Sequence, residues 1–161
     1  MHSLTPNLMV EDVPESVAFY ERFGFELQVA VTEDEEGGGV DHEPTDGGDD
    51  STSDDESASD EDWGELRDDE HYVYAQLTAG DVELMLQEQS SFRADVGALA
   101  DADLGGSLTL YLRVDDVDDL FDAAADAVDV LDEPAETWYG MREFYVRDPN
   151  GYVLGFAEST D

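Results

Sequence analysis

The first 32 residues change from an alternating hydrophobic pattern to a helical one and back again. Leu4–Val10 alternates apolar and polar side chains, which predicts a strand. Asp12 stands where an N-cap is expected, and the apolar spacing that follows predicts a helix over Val13–Phe23. Gly24 is suited to end that helix, and Phe25–Thr32 is predicted to form the second strand.

Two further strands are predicted after a long polar gap. The run His71–Ala79 alternates as a strand, Gly80-Asp81 is a turn signal, and Val82–Glu88 is its predicted hairpin partner. The order of elements is therefore strand, helix and three strands, a βαβββ module that covers residues 1–88.

This order of elements is repeated in the second half of the chain. The stretches VEDVPESVAFY and VDDVDDLFDAA align without gaps, so that Asp116 takes the place of Asp12. A strand is predicted over Leu108–Val114, a helix over Val117–Ala127 and a short strand over Val128–Leu131. The last two strands, Glu143–Arg147 and Tyr152–Ala157, flank the turn sequence Asp148-Pro149-Asn150-Gly151. Residues 107–161 therefore form the predicted second module.

Two segments lie outside this pattern. Residues 33–70 are rich in Asp, Glu, Gly, Ser and Thr with few apolar side chains, which predicts a disordered or solvated insertion in the first module. An inserted, salt-adapted loop is favoured over a tail that binds cations or a partner. Residues 89–106 form a predicted connector with a short helix around Ala94–Ala102.

The net charge of the chain excludes some classes of partner and indicates the salt concentration in which the protein folds. Its 161 residues include 44 acidic and 6 basic residues, for a formal net charge of −38. Such a charge repels nucleic acid and anionic membranes, so neither is an expected partner. It favours a halophilic protein that folds in molar salt, where the Debye length falls to about 3 Å; an acidic mesophilic protein with a disordered tail is the alternative. The absence of cysteine excludes thiolate chemistry, and without a signal peptide or apolar span the chain is expected to be cytoplasmic.

The closing stretch ETWYGMREFYVRDPNGYVLGFAE carries a family resemblance. Its pattern W-x-G-x-R-E-F…D-P-x-G resembles the last hairpin of the vicinal-oxygen-chelate superfamily of glyoxalases, dioxygenases and bleomycin-resistance proteins, and is most similar to the bleomycin-resistance branch. The resemblance implies an α+β fold, in which two βαβββ modules form a curved, mostly antiparallel eight-stranded sheet with helices on the convex face. It also implies a ligand on the concave face.

The resemblance also implies where metal ligands would stand. Metal-dependent members carry a ligand seven residues before each capping aspartate, which here gives Thr5 and Thr109. A further ligand is expected at Gly155 and another near Glu83. Threonine and glycine are poor ligands for a transition metal, so no metal is predicted, with Glu83 as the single competent position.

Strand alternation predicts which side chains line the concave face. The apolar alternate positions, such as Leu84, Leu110 and Leu154, are expected to pack under the helices. Arg142 and Glu143 are expected to form a structural ion pair, and Phe92 of the connector is expected to reach the cleft. The predicted ligand-binding residues are Thr5, Asn7, Met9, Glu83, Met85, Gln87, Thr109, Tyr111, Trp138, Tyr139 and Gly155, the last of which leaves free space.

Three functions fit these predictions. The first is a homodimeric, metal-independent protein that sequesters a small aromatic or cationic ligand in clefts made by both chains, as the resemblance implies. The second is a glyoxalase-type or dioxygenase-type enzyme with a divalent metal, in which a register slip would bring Glu83 together with Asn7, Gln76 or Glu158. The third is a structural or regulatory domain with a vestigial cleft. The sequence does not distinguish modules paired within one chain from modules swapped between chains.

Overall fold

The described part of the chain folds into eight strands and three α-helices. The computed structural model describes residues 2–33 and 66–161. The elements follow the predicted order in both halves of the chain. They are β1 (Asn7–Val10), α1 (Val13–Glu21), β2 (Glu26–Thr32), β3 (Tyr72–Ala79), β4 (Val82–Glu88), α2 (Gln89–Asp95), β5 (Thr109–Arg113), α3 (Val117–Ala124), β6 (Asp129–Glu136), β7 (Met141–Arg147) and β8 (Val153–Ser159).

The strands form two four-stranded sheets with the same topology. Sheet A has the order β1-β4-β3-β2 and sheet B the order β5-β8-β7-β6. In each sheet the first strand pairs in parallel with the last, and the other neighbours are antiparallel. The predicted α+β fold of two βαβββ modules is confirmed, with its eight strands divided between two hydrogen-bonded sheets.

The two main helices begin at equivalent aspartates. The Asp12 carboxylate accepts a hydrogen bond from the backbone N–H of Glu15 at 2.7 Å, and Asp116 accepts one from Asp119 at 2.8 Å. These bonds satisfy N–H groups that have no partner within the helix. The aligned repeat is thus also a repeat of the helix caps, as predicted.

The two modules share one hydrophobic core. The predicted apolar faces are buried, with Leu86 and Leu154 both fully inaccessible. At the centre Phe156 of β8 stacks on Phe144 at a ring-centroid distance of 4.9 Å and on Phe23, which follows α1, at 4.6 Å. This aromatic stack ties the end of α1 to sheet B within one chain.

The turn between β7 and β8 forms a second, polar connection between the modules. Asp148 accepts a 2.9 Å hydrogen bond from the hydroxyl of Tyr20, and Asn150 donates to the hydroxyl of Ser16 at 3.0 Å. Tyr152 donates to the backbone carbonyl of Met9. Burial raises the pKa of Asp148, although the Tyr20 hydroxyl and the backbone N–H groups of Asn150 and Tyr152 oppose the shift. The sequence predicted a turn here, and its contacts with α1 were not anticipated.

The connector departs from the prediction. Its helix begins at Gln89, directly after β4, and ends at Asp95, where a helix around Ala94–Ala102 was expected. The cause is Glu88, whose carboxylate accepts hydrogen bonds from the backbone N–H groups of Ser90 and Ser91 and so starts the helix early. Within the expected range, only Ala94 and Asp95 are α-helical, and a single 3₁₀ turn follows at Gly97–Leu99.

Several element ends also differ from the predictions. The helix predicted over Val117–Ala127 is α-helical only to Ala124, and its last three residues form a 3₁₀ turn. β6 continues past its predicted end at Leu131 to Glu136, because it is an edge strand that tolerates Pro134 with a register shift. β1 starts at Asn7, which leaves Leu4 exposed.

The predicted insertion lies between the paired strands β2 and β3. Thr32 pairs with Tyr72, and the Glu33 backbone N–H donates to the His71 carbonyl at 2.9 Å. The two ends of the insertion therefore meet at one point of the sheet edge, while residues 34–65, and with them most of this prediction, lie outside the described part of the chain. Among the described residues, no helix is long and apolar enough to cross a membrane.

Candidate functional site

Alternation gives each sheet a face directed away from the shared core, called its open face below. On sheet A this face carries two hydrogen-bonded pairs. Thr5 donates to Glu83 at 3.0 Å, and Asn7 donates to Gln87 at 2.9 Å. Gln87 in turn donates to Ser91 and to Asp95 of α2. The polar side chains at this end are therefore engaged with one another.

The helix α2 covers part of this open face. It packs against β1 and β4, and Met9 and Gln87 are buried. Phe92 of α2 is buried as well. Because α2 begins directly after β4, it lies over one end of the open face of sheet A. The end that carries Thr5 and Glu83 remains accessible.

The open face of sheet B is built around one buried carboxylate. Glu143 of β7 is only 5% exposed, and its carboxylate accepts hydrogen bonds from three tyrosine hydroxyls. Tyr111 donates from β5 at 2.5 Å, Tyr145 donates from β7 at 3.0 Å, and Tyr139 donates from the loop before β7 to both carboxylate oxygens. We call these four residues the Glu143 cluster.

The hydrogen bonds to Glu143 keep the tyrosines protonated. The bond to the carboxylate raises the pKa of Tyr111 to about 12, and burial together with the same carboxylate raises that of Tyr145 to about 12. The pKa of Tyr139 is raised for the same reason. All three phenols therefore stay protonated well into the alkaline range, and each donates a hydrogen bond to the Glu143 carboxylate.

Gly155 of β8 provides the space for Tyr145. These two residues pair across β7 and β8, and a Cβ atom at Gly155 would lie 2.5 Å from Cε1 of the Tyr145 ring. The absence of a side chain at Gly155 therefore makes room for the ring. The space that was expected to remain free for a ligand is filled by the protein itself.

An exposed aromatic pair stands beside the cluster. Trp138, in the turn between β6 and β7, is 94% exposed, and its ring contacts that of Tyr139 edge to face at a centroid distance of 5.4 Å. Tyr139 is 52% exposed and Tyr111 46% exposed. The buried charge of Glu143 is thus surrounded by accessible aromatic rings.

The eleven predicted ligand-binding residues fall into two groups. Four of the five from the second module lie around Glu143. The exception is Thr109, which is exposed on β5; among the described residues it forms no hydrogen bond with the Glu143 cluster. The six of the first module lie on sheet A, where Met85 is half-buried and where Met9 and Gln87 are covered.

Glu143 and Tyr145 were not among the predicted binding residues. The expected ion pair between Arg142 and Glu143 is wrong, because Arg142 forms two hydrogen bonds of 2.8 Å with Asp118 of α3. Neighbouring residues on a strand point to opposite faces, which separates Arg142 from Glu143. The sequence contained a signal for Tyr145. Counting residues outward from the turn between β7 and β8 pairs Tyr145 with Gly155, so the tyrosine ring could have been predicted to lie over the glycine.

The side chains present do not fit a catalytic metal. Thr5 is hydrogen-bonded to Glu83, and the Tyr145 ring occupies the space that a metal-binding side chain at position 155 would need. Glu158, proposed above as a substitute ligand, instead accepts a hydrogen bond from the backbone N–H of Val117 at the start of α3. In residues 2–33 and 66–161, no three His, Cys, Asp or Glu side chains converge as a metal site would require.

Comparisons with known proteins agree with this fold. A profile of the Glyoxalase/Bleomycin resistance protein/Dioxygenase superfamily matches residues 2–156. No curated protein matched the chain. One similar structure is a glyoxalase/bleomycin resistance protein/dioxygenase family enzyme from Burkholderia phytofirmans PsJN, with a TM-score of 0.61 and 18% identity over 96% of each chain. A second is a bleomycin resistance determinant encoded on the transposon Tn5, with a TM-score of 0.54 and 18% identity over 99% of this chain and 98% of that chain. A third is a bleomycin-binding protein complexed with bleomycin, with a TM-score of 0.50 and 18% identity over 99% of each chain.

At these identities the structures show a shared fold, while the sequence profile spans almost the whole chain. The chain belongs to the Glyoxalase/Bleomycin resistance protein/Dioxygenase superfamily.

Proposed function

We propose that this protein binds a small organic molecule on the open face of sheet B and acts by sequestration, without a metal. The observation that carries the proposal is the Glu143 cluster. A charged carboxylate is costly to bury, and here three aromatic hydroxyls hold it in place at an accessible aromatic surface. Such a preorganised charge beside rings is suited to recognition.

The chemistry of this surface favours a planar aromatic cation. Trp138 and Tyr139 offer exposed rings for stacking, and Glu143 supplies negative charge at the hydroxyl end of the Tyr139 ring. A cation over an aromatic face gains about 0.5–2 kcal/mol, depending on its desolvation. The net charge of −38 acts in the same direction by attracting cations.

A homodimer would complete this surface. Tyr111, Trp138 and Tyr139 are large, partly apolar and exposed on one side of the molecule. A second chain placed over the open face of sheet B would enclose the ligand between two subunits. This arrangement agrees with the clefts that the family resemblance implies, and it fits an exposed aromatic patch better than an isolated monomer does.

The proposed site is tested by titration with 9-aminoacridinium, a planar aromatic cation. Trp63→Phe leaves Trp138 as the single tryptophan, so that its fluorescence reports binding. In this background we expect saturable quenching by the cation in molar KCl, and Glu143→Gln is expected to weaken binding at least about tenfold, which corresponds to about 1.4 kcal/mol. Without the charge, the amide neither attracts the cation nor accepts all three phenol hydrogen bonds.

The matched control is Glu133→Gln, which removes the same charge from an exposed position on β6. It is expected to leave the affinity unchanged, and 9-anthracenecarboxylate, an anion with three rings fused in the same way, is expected not to bind. Equal binding of cation and anion, or equal losses in the two variants, would contradict the proposal and favour a domain with a vestigial cleft.

Metal content provides an independent prediction. We expect a variant lacking residues 34–69 to retain well below one equivalent of Zn²⁺, Ni²⁺, Mn²⁺ or Fe²⁺ after loading and dialysis, measured by elemental analysis. The deletion removes an acidic stretch whose nonspecific attraction of cations would obscure the count, and the ends it joins are adjacent at the edge of sheet A. About one tightly bound ion per chain would overturn the metal-free proposal and favour a lyase or dioxygenase.

A further inference from the structure

A cavity of about 270 Å³ lies between the two modules, with walls drawn mainly from the apolar faces of the sheets and with Glu83 and Tyr111 of the open faces at its border. Its walls include Leu84 of β4, Leu110 and Leu112 of β5, and Leu154 of β8. These residues belong to the apolar alternate positions, whereas Glu143 and Gly155 belong to the other set. The cavity therefore borders the Glu143 cluster at Tyr111, which lines both, but its other walls are not part of that cluster.

The mouth of the cavity is apolar and exposed. Leu4 is 88% exposed and Val82 is 50% exposed, and both border the cavity. Deeper in the cavity, Phe25 and Leu154 are buried. Protein interiors are normally packed to the density of organic crystals, and contiguous exposed apolar surface is one mark of a ligand-binding groove.

Two carboxylates stand at the mouth and define the charge of the occupant. Asp81 and Glu83 both border the cavity and are exposed, and its described lining contains no lysine, arginine or histidine. An anionic ligand, such as a fatty acid, would meet these carboxylates without any compensating cation. A ligand with an apolar body and a positively charged end is complementary to both parts of the site.

We propose that this cavity is a second binding site, which takes a small amphipathic organic cation. The apolar body of the ligand lies against the leucine side chains, and its cationic end lies between Asp81 and Glu83. The volume is just below the range of about 300–1,000 Å³ that is typical of sites for drug-sized ligands, so the occupant is a single ring or a short branched chain. The lining shares Tyr111 with the Glu143 cluster but includes none of Glu143, Tyr139 and Tyr145, so binding here does not require the function proposed for that cluster.

The test uses three probes of one size and different charge on the full-length protein in molar KCl. Benzyltrimethylammonium is the cation, neopentylbenzene its neutral isostere and phenylmethanesulfonate the anion. In ligand-titration NMR we expect the cation to bind about fivefold more tightly than the neutral probe, as an exposed charge pair allows, and the anion to bind most weakly. Nuclear Overhauser contacts are expected between the ring of the cation and the methyl groups of Leu110, Leu112 and Leu154.

Two variants and their controls locate the site. Val82→Phe blocks the mouth at a half-exposed strand position that accepts an aromatic side chain, and it is expected to weaken the cation's binding at least about tenfold. Val31→Phe, at a similarly exposed position on β2, is expected to have no effect. Asp81→Asn is expected to weaken binding of the cation but not of the neutral probe, whereas Asp122→Asn on α3 changes neither.

The proposal is overturned if the neutral probe binds as well as the cation, or if Val82→Phe and Val31→Phe behave alike. It is also overturned if sedimentation velocity shows that Val82→Phe dissociates a dimer, because a second copy of the chain would then occupy the cavity. Contacts between the cation and the leucine methyl groups can be measured on the unmodified protein, so the test does not depend on the folding of any variant. Loss of acridinium binding in Glu143→Gln with retained benzyltrimethylammonium binding separates the two sites.

Discussion

Replacement of Phe156 by alanine is expected to lower the free energy of unfolding by about 3–5 kcal/mol. The Phe156 ring is 1% exposed and lies between Phe144 of its own module and Phe23 of the other, nearly parallel to both at interplanar angles of 19° and 23°. Its removal would leave a cavity where the two modules meet. Denaturant unfolding in molar KCl, followed by circular dichroism, measures the change.

The control for this variant is Trp138→Ala, which removes a larger aromatic ring at a position that is 94% exposed. Exposed substitutions of this kind usually change stability by no more than about 0.5 kcal/mol. Equal effects of the two substitutions would mean that the aromatic stack does not hold the modules together. A loss of unfolding cooperativity in Phe156→Ala alone would show instead that the modules can separate.

The second large effect is expected at Gly155. Alanine there would place its Cβ 2.5 Å from Cε1 of Tyr145, so the ring must move and its 3.0 Å hydrogen bond to Glu143 must break. We expect a loss of about 1–3 kcal/mol in stability, as for other overpacked sites. Weaker binding of 9-aminoacridinium is expected together with it. Thermal unfolding and the Trp138 fluorescence titration provide the two measurements.

Two comparisons isolate the cause at Gly155. Gly97→Ala, at a position where an added Cβ meets no atom within 4 Å, is expected to be neutral or slightly stabilising. In a Tyr145→Ala background, Gly155→Ala is expected to cost less than about 0.5 kcal/mol, because the ring that it displaces is absent. An undiminished cost in that background would place the strain elsewhere in the strand.

Together these results would connect the fold to the proposed function. If Gly155→Ala weakens acridinium binding while Phe156→Ala at permissive temperature does not, affinity follows the geometry of the Glu143 cluster and not global stability. If both substitutions reduce binding in proportion to their effect on stability, the cluster is a structural feature of sheet B. The Tyr145 ring is the element that distinguishes these outcomes, because it contacts both Gly155 and Glu143.

The order of the elements and the family could both be predicted from the amino-acid sequence alone. The aligned stretches around Asp12 and Asp116 predict equivalent helix caps, and both caps are present. Alternation predicts which face of each strand is buried, since side chains on a strand point to opposite sides at every step. Leu84, Leu86 and Leu154 are buried accordingly. Helix caps and strand alternation depend on residues close together in the chain, so a short stretch of sequence is enough to predict them.

Which polar residues interact with one another depends on how the two modules fold and pack. Glu143 receives hydrogen bonds from Tyr111, which is distant in sequence, and Arg142 turns to Asp118 on a helix, so neither partnership can be read from neighbours in the chain. Because α2 starts at Gln89, it packs against β1 and β4 and covers part of the open face of sheet A, which strand alternation alone predicts to be accessible. The cavity between the modules likewise exists only because two separately predictable sheets pack without filling the space between Leu84 and Leu154.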